Sequence, residues 1–459
     1  MQADELTSLL ETELAGLAYS VQASDLVKFG QDWTRFHEPN ATVVFFPNSI
    51  KEIQKIIHVA NKYGQVVIPS GGRTGYSAGA VATQGEWIVS MVRFNEISGF
   101  NPIDQSVTVG AGVITEQLQN FAEEKGLFYP VDFASSGSSH MAGNIATNAG
   151  GIRVLRYGLT RDYVLSLTVV TGAGEVLKLN NGLVKNASGL DLRHLFIGSE
   201  GILGVVIEAE IKLIQPPPNQ AVMLLALASL EAVMSVFALA RKSLQLSSFE
   251  FFSDRALNRV MQHRGFDNPF DDMHPFYVLL EFDEDEESAM HVFESGMDAV
   301  WVTDGIIAQS MDQAKQLWQY REGISESIAH HTPYKNDISV KISKVPDFMQ
   351  QLENTLAQEY PNFETIWFGH IGDGNLHLNI LKPENMETTA FKKQCEHVNQ
   401  HVYGLIAQFD GSISAEHGVG LIKKPFLCYS KSAEEIRLMQ AIKKVFDPKG
   451  VLNRGKVVD

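Results

Sequence analysis

Trp367-Phe368-Gly369-His370-Ile371-Gly372-Asp373-Gly374-Asn375-Leu376-His377-Leu378-Asn379-Ile380 sets Asp-Gly between two apolar-rich runs. This is the strongest short-range hairpin signal, because a type I′ turn needs positive φ at both central residues. With Asp373 and Gly374 in those places, Gly372 is predicted to pair with Asn375, Ile371 with Leu376 and His370 with His377. Directly paired residues share a sheet face, with Cβ atoms about 4.5–5.5 Å apart. Asn379 lies two residues past His377 and joins that face, while Leu376, Leu378 and Ile380 take the other. The spacing thus predicts a polar face of two imidazoles and an amide on an apolar-backed hairpin. Facing histidines also occur as plain hydrogen-bonded sheet residues, so the hairpin alone leaves a metal site and a structural pair both open.

Ser412-Ile413-Ser414-Ala415-Glu416-His417-Gly418-Val419-Gly420 adds an adjacent Glu and His ahead of a Gly-rich turn. Two histidines and a carboxylate hold a divalent metal while leaving a position open for substrate. That leaves one unassigned histidine beside such a site, a candidate base.

Composition narrows the class. A chain of 459 residues exceeds one ordinary domain, and two or three are expected. Hydrophobic residues make up 44% and charged residues 20%, which are globular values. The formal net charge of −17 argues against nucleic acid or an anionic membrane surface as partner. Cys395 and Cys428 stand in no metal or redox spacing, which excludes a disulfide scaffold and an iron–sulfur cluster held by this chain alone. Residues 1–17 read as an acidic amphipathic helix, unlike a transit or secretory peptide. Ala221–Ala240 divides into a strand over 221–228 and a helix capped by Ser229, so no transmembrane segment is expected.

From Ser49 the chain alternates elements. Ser49 and Glu52 form a capping box, and Ile50, Ile53, Ile56, Ile57 and Ala60 a helical stripe ending before Gly64. Val66-Val67-Ile68 is a short strand, followed by Pro69-Ser70-Gly71-Gly72-Arg73-Thr74-Gly75, a loop suited to close approach of backbone N–H groups to phosphate. Such a loop is also a common plain turn. Strands are predicted near 86–92, 106–110, 164–171 and 174–179, and a helix near 114–125 stopped by Gly126. The Gly, Ser and Asn of 135–151 suit a ligand-facing connection better than a core element. Pro216-Pro217-Pro218 makes the clearest domain boundary.

Together the loops "PSGGRTG" and "GNIATNAGG" and the run "GSEGILGVV" resemble the FAD-binding domain of the vanillyl-alcohol oxidase flavoprotein family. "FGHIGDGNLHLNI", "SAEHGVG" and "FDPKGVLNRGK" resemble its branch of FAD-dependent D-2-hydroxyacid dehydrogenases, from about residue 32 to the C-terminus. Within it, "VTDGIIAQ", "LWQYREGISESI" and "YKNDISV" are most similar to D-2-hydroxyglutarate dehydrogenases; D-lactate and glycolate dehydrogenases share the outer motifs. The resemblance implies an α+β fold: a two-subdomain FAD-binding domain and an α+β substrate domain with an antiparallel sheet. The expected division is an N-terminal helical segment over 1–34, the FAD domain over 35–217, the substrate domain with its metal site over 218–424, and a segment over 425–459 returning to the FAD domain.

Carried over residue by residue, the resemblance makes Pro69, Ser70, Gly71, Gly72, Arg73, Thr74 and Gly75 the pyrophosphate cradle. Gly137, Ser138, Gly143, Asn144, Thr147, Asn148, Gly150 and Ile207 line the rest of the FAD site. His370, His377 and Glu416 become metal ligands and His417 the general base. Arg321 and Lys335 bind substrate carboxylate, with Ser325 and Asn379 in support. Read alone, Arg321 would be a helix-surface charge and Lys335 part of a solvated connection. Arg73 stands where relatives often have Gly or Asn, and Arg454 where Pro is usual; both should be tolerated. Residues 69–79 hold no histidine of the kind that tethers flavin in some relatives, so non-covalent FAD is expected.

The implied reaction oxidises a D-2-hydroxy acid to the 2-oxo acid. Hydride passes to FAD, and a divalent metal, Zn with Mn or another in competition, polarises the hydroxyl. Without a Gly-x-Gly-x-x-Gly fingerprint after a strand, the expected acceptor is an electron-transfer flavoprotein or a quinone rather than a nicotinamide. A cytoplasmic enzyme, with a homodimer allowed, completes the expectation. Two competing classes are a metal-dependent hydrolase, which leaves the Gly-rich loops unexplained, and an idle flavin-binding scaffold, which needs no Glu416-His417.

Overall fold

The computed structural model describes residues 3–34 and 37–459, in two compact units. One takes the described parts of Met1–Gly151 with Leu159–Pro216 and Glu416–Asp459; the other is Ile152–Gly158 with Pro217–Ala415. The helix expected over 1–17 starts on residues 1 and 2, outside the described residues; Ala3–Glu11 is helical and 12–16 are turns. The expected boundary at 34/35 likewise meets residues 35 and 36, outside the described residues. Among the described residues no helix is long and apolar enough to cross a membrane.

The first unit carries two sheets. β1 (Tyr19–Ser20), β2 (Ala41–Phe45), β3 (Val67–Ser70) and β4 (Glu86–Ser90) lie in the order β1-β2-β4-β3, with β4 parallel to both β2 and β3. A parallel pair needs a crossover, supplied by the helix Ile50–Tyr63. Ser49 Oγ accepts the Glu52 N–H at its start and Gly64 closes it at φ 67°. Ile53, Ile56, Ile57 and Ala60 are buried, as the stripe requires. β5 (Ile97–Asn101), β6 (Ser106–Gly110), β7 (Val164–Thr171), β8 (Val176–Leu179) and β9 (Gly204–Lys212) form an antiparallel sheet in the order β5-β6-β9-β7-β8.

The small-residue stretch 135–151 departs from expectation, because it contains a helix, Met141–Thr147, with Met141, Ala142, Asn144 and Ile145 buried. The N–H groups of Met141 and Ala142 donate to the Val113 and Ala111 carbonyls, and Asn144 Nδ2 to Thr115 Oγ1. These donors therefore satisfy the fold, and tertiary packing overrides the local preference for a loop.

The second unit is one seven-stranded antiparallel sheet. β10 (Gln220–Leu227), β11 (Leu246–Ser253), β12 (Phe276–Asp283), β13 (Val302–Ile307), β14 (Tyr334–Ser339), β15 (Thr365–Gly369) and β16 (Asn375–Ile380) run in the order β13-β10-β12-β11-β15-β16-β14. The helix Leu230–Ser243 follows β10, with Ser229 Oγ accepting the Ala232 N–H. Phe252, Leu257, Tyr277, Leu279, Ile366 and Phe368 share one buried cluster. Burying each such side chain contributes about 1.5–3 kcal/mol. Ile152–Gly158 joins this unit because Ser248 Oγ donates to the Ile152 carbonyl at 2.6 Å and Arg153 pairs with Glu281 at 2.9 Å.

At the C-terminal side the division falls at 415/416 rather than 424/425. Glu200 explains the earlier switch: its buried carboxylate accepts the Val419 and Gly420 N–H groups at 2.7 and 2.9 Å, within the first unit.

Candidate active site

The two-residue turn expected at Asp373-Gly374 is not what forms. β15 ends at Gly369, a 3₁₀ turn spans Ile371–Asp373, and only Gly374 takes a positive φ, 85°. Asp373 instead accepts the Asn375 N–H through its own side chain, the local bond that makes Asp a turn former without positive φ. The pairing moves by two residues: His377 opposes Phe368, Leu378 opposes Trp367, and His370 lies just past the last strand residue. A shift of two preserves side-chain direction. His370 and His377 therefore still meet, ring centroids 5.4 Å apart and nearly perpendicular.

Around this pair the second unit gathers the expected polar groups. β14 sets Lys335 opposite Asn379 and Asp337 opposite His377, so all four share one face. Lys335 thus lies in a strand, not in the solvated connection that its polar neighbours suggest; it is half-buried, and burial lowers its ammonium's pKa. Asn379 Nδ2 is buried without a partner in the protein, a donor aimed at something the chain does not supply. Arg321 lies on a helix, as its reading as a helix-surface charge supposed, but the helical run breaks at Gly323 into Met311–Glu322 and Ile324–Ser327. Arg321 ends the first of these only 6% exposed, over the Phe368 ring at 4.9 Å; the half-buried Ser325 follows on the second.

Two acids missed at the sequence level support the face. Glu250, 1% exposed in the middle of β11, brings one oxygen to 2.8 Å from His370 Nδ1 and the other to 2.7 Å from Arg321. Asp337, fully buried, accepts Asn375 Nδ2 at 2.9 Å and approaches His377 Nδ1 to 3.7 Å. The Glu250 carboxylate at His370 Nδ1 leaves that ring's Nε2 to act as ligand, the arrangement that metal-binding histidines favour, while the separation of Asp337 from His377 Nδ1 is beyond hydrogen-bond distance. The signal for Glu250 is a lone acid inside the apolar run "SSFEFFS"; for Asp337, its place two residues from Lys335. On donor chemistry these residues fit a divalent metal.

The first unit carries Glu416 and His417, whose carboxylate and Nε2 stand 3.7 Å apart. His417 packs against the Tyr76 ring at 4.9 Å. Their loop is fixed by Glu200 and by Gly420, which has φ 49° and on which a Cβ would collide with the Ser77 carbonyl. Glu200 is a third acid that the motifs alone do not single out, although "GSEGILGVV" contains it.

In the same unit the two Gly-rich loops pack together. A Cβ on Gly72 would strike the Ser138 carbonyl and lie 2.8 Å from Ser139 Cα and 2.9 Å from the His140 nitrogen; Gly71 faces His140 and Gly143. Arg73 adopts φ 61°, a conformation that favours Gly or Asn, and compensates by donating to the Gly71 carbonyl and lying over Phe29. Arg454, the other departure, is accommodated by a bond from Nε to the Gly450 carbonyl. A Cβ added to Gly201 would come to 3.4 Å from the Pro69 ring, Asn148 caps its helix at φ 51°, Thr147 Oγ1 donates to the Gly143 carbonyl, and the Ile207 carbonyl accepts the Ala111 N–H. Thr74 and Gly75 continue the first loop, whose Gly75 carbonyl accepts from Trp33; Gly137 and the exposed Ser138 open the second, and Gly150 lies buried near its end. Gly143 is the telling residue. It lies in a helix without positive φ, yet a Cβ there would meet nothing within 4 Å. Neither backbone nor packing requires glycine there, and the open space beside it has room for a bound group. Beside it His140 Nδ1 is buried and unpaired, and burial with Arg73 nearby holds the ring's pKa down to about 4.

The chain matches the family described as FAD binding domain over residues 41–180 and that described as FAD linked oxidases, C-terminal domain, over residues 216–457. It is 51% identical over 454 residues to a D-2-hydroxyglutarate dehydrogenase of Xanthomonas citri pv. viticola, spanning 98% of this chain and 96% of that one. It is 48% identical over 458 residues to one of Stutzerimonas stutzeri, spanning 99% and 98%. Its fold resembles that of a 4-ethylphenol oxidase from Gulosibacter chungangensis, with TM-score 0.78, 14% identity, and 100% and 98% of the chains covered. The antiparallel sheets, the FAD-binding loops and these likenesses agree: the chain belongs to the FAD-dependent D-2-hydroxyacid dehydrogenases of the vanillyl-alcohol oxidase flavoprotein family.

Proposed function

We propose that this enzyme oxidises D-2-hydroxyglutarate to its 2-oxo acid. The observation that carries the reading is the second unit's polar face. It pairs two carboxylate-backed imidazoles with two cations, the buried Arg321 and the half-buried Lys335. A dicarboxylate offers one carboxylate to each cation, and Arg321 suits the planar recognition of such a group. D-lactate, with a single carboxylate, would engage only one of the two cations.

FAD when bound supplies the hydride acceptor, and a divalent metal on His370, His377 and Glu416 supplies Lewis acidity. The chain's own groups do the rest. Ser339 and Ser412 exchange backbone hydrogen bonds at 3.0 and 2.8 Å, which anchors the segment leading to Glu416 on β14, two residues beyond Asp337. His417 takes the hydroxyl proton as general base. Asn379 donates its unpaired N–H to substrate, with Ser325 beside it, and Arg321 and Lys335 orient the carboxylates. Non-covalent FAD, zinc as the metal, reoxidation by an electron-transfer flavoprotein or a quinone, a homodimer and a cytoplasmic location belong to the same proposal.

A panel of D-2-hydroxy acids tests it. D-2-hydroxyglutarate should give the highest kcat/KM, and Lys335→Ala should lower that value by about 2–3 kcal/mol of transition-state binding with flavin retained. A higher kcat/KM for D-lactate or glycolate overturns the substrate assignment.

A further inference from the structure

Glu250 touches both halves of the polar face, the imidazole side and the carboxylate-binding side. One oxygen is 2.8 Å from His370 Nδ1, the other 2.7 Å from the Arg321 guanidinium, and the side chain is 1% exposed. A carboxylate only accepts, so Oε1 faces the His370 Nδ1 as a hydrogen-bond acceptor while Oε2 holds the Arg321 guanidinium as an ion pair, without an aligned hydrogen bond. Neither neighbour can turn away freely. Arg321 is 6% exposed and lies over Phe368, and His370 sits at the end of β15, whose Gly369 pairs with Phe251 next to Glu250.

We infer that Glu250 is a positioning residue that fixes the His370 tautomer and the Arg321 guanidinium together, coupling metal binding to recognition of the substrate carboxylate. This rests on the reading of His370 as a metal ligand and Arg321 as a substrate contact. With Nδ1–H donated to Glu250, the His370 lone pair is left on Nε2, directed at the metal. The same carboxylate holds Arg321 in place before substrate arrives, so its orientation does not draw on binding energy.

Glu250→Gln is the discriminating variant, because it keeps the shape and removes the symmetry. With its oxygen toward His370, the amide turns N–H groups on the Arg321 cation, and substrate binding suffers. With its nitrogen toward His370, it forces the proton onto Nε2 and blocks the metal-binding lone pair. Either orientation satisfies only one neighbour.

Three measurements on the full chain test it. Nitrogen-15 imidazole NMR of the zinc-loaded holoenzyme, assigned with His370→Gln, should show His370 protonated on Nδ1. Glu250→Gln should remain folded, by circular dichroism, with a thermal midpoint lowered because the buried Arg321 loses its counter-charge. It should also show either a zinc dissociation constant raised about 10–100-fold by chelator competition, or a raised KM for D-2-hydroxyglutarate with kcat less affected. Wild-type zinc affinity together with wild-type KM in Glu250→Gln overturns the inference, as does a His370 proton on Nε2. Should Glu250→Gln fail to fold, the His370 tautomer in the wild-type holoenzyme decides between the two outcomes. If His370→Gln binds zinc as the wild type does, the ligand reading fails instead.

Discussion

Gly143→Ala separates a cofactor-facing glycine from a structural one. The residue is helical, lacks positive φ, and has nothing within 4 Å of an added Cβ. In the flavin-stripped protein alanine should therefore stabilise by about 0.4–1 kcal/mol through the unfolded state. In the holoenzyme the same methyl enters space assigned to FAD, and overpacking costs about 1–3 kcal/mol. At 1.4 kcal/mol per tenfold this is about 5–150-fold in the FAD dissociation constant. Gly72→Ala should behave in the opposite way. Its Cβ meets the Ser138 carbonyl, Ser139 Cα and the His140 nitrogen, all backbone, so no side chain can rotate aside. It should destabilise the stripped protein by about 3 kcal/mol. Thermal midpoints by circular dichroism and FAD titrations by flavin fluorescence measure both. Unchanged FAD affinity in Gly143→Ala would refute the placement of the cofactor.

Lys456 is buried beside Asp32, Glu86 and Glu200, and burial pulls its ammonium pKa from 10.5 down to about 7. A depressed folded value means that its contribution to stability is present above 10.5 and lost as pH falls through about 7. Relative to Lys456→Met, the wild type should gain up to about 1.4 kcal/mol per pH unit between pH 7 and 9; a flat difference in urea unfolding contradicts this. His417→Asn should retain metal and flavin while flavin reduction slows about 10²–10⁴-fold; stopped flow and elemental analysis check it, and a normal rate removes His417 as base. Heat or acid should release the flavin into the supernatant, and flavin left on the precipitate means a covalent link. Arg321→Met should destabilise by about 3–5 kcal/mol because it strands the buried Glu250 charge; a thermal midpoint near wild type shows that the pair contributes little.

What the sequence discloses follows the range of the forces involved. The period of two along Leu376-His377-Leu378-Asn379-Ile380 places residues on faces whatever the register. The polar face is therefore readable although the turn is not. The helix Ile50–Tyr63, bounded by Ser49 and Gly64, depends on local bonds and is equally readable. Lys335 is not, because its strand exists only by pairing with β16, where its partner Asn379 lies 44 residues later in the chain. Glu250 lies hidden for the same reason, since its partner His370 is separated by 120 residues. The helix inside 135–151 depends on carbonyls of Ala111 and Val113 that no local pattern reveals.

The most direct test mixes the holoenzyme anaerobically with D-2-hydroxyglutarate, before and after chelation, while flavin absorbance and metal content are followed together. The untreated enzyme should bleach. The chelated enzyme should stay yellow, with its FAD still bound and its bleaching slowed in proportion to the metal removed. Unchanged bleaching in metal-free protein would contradict the assignment of His370, His377 and Glu416, and no bleaching in the untreated enzyme would contradict the substrate.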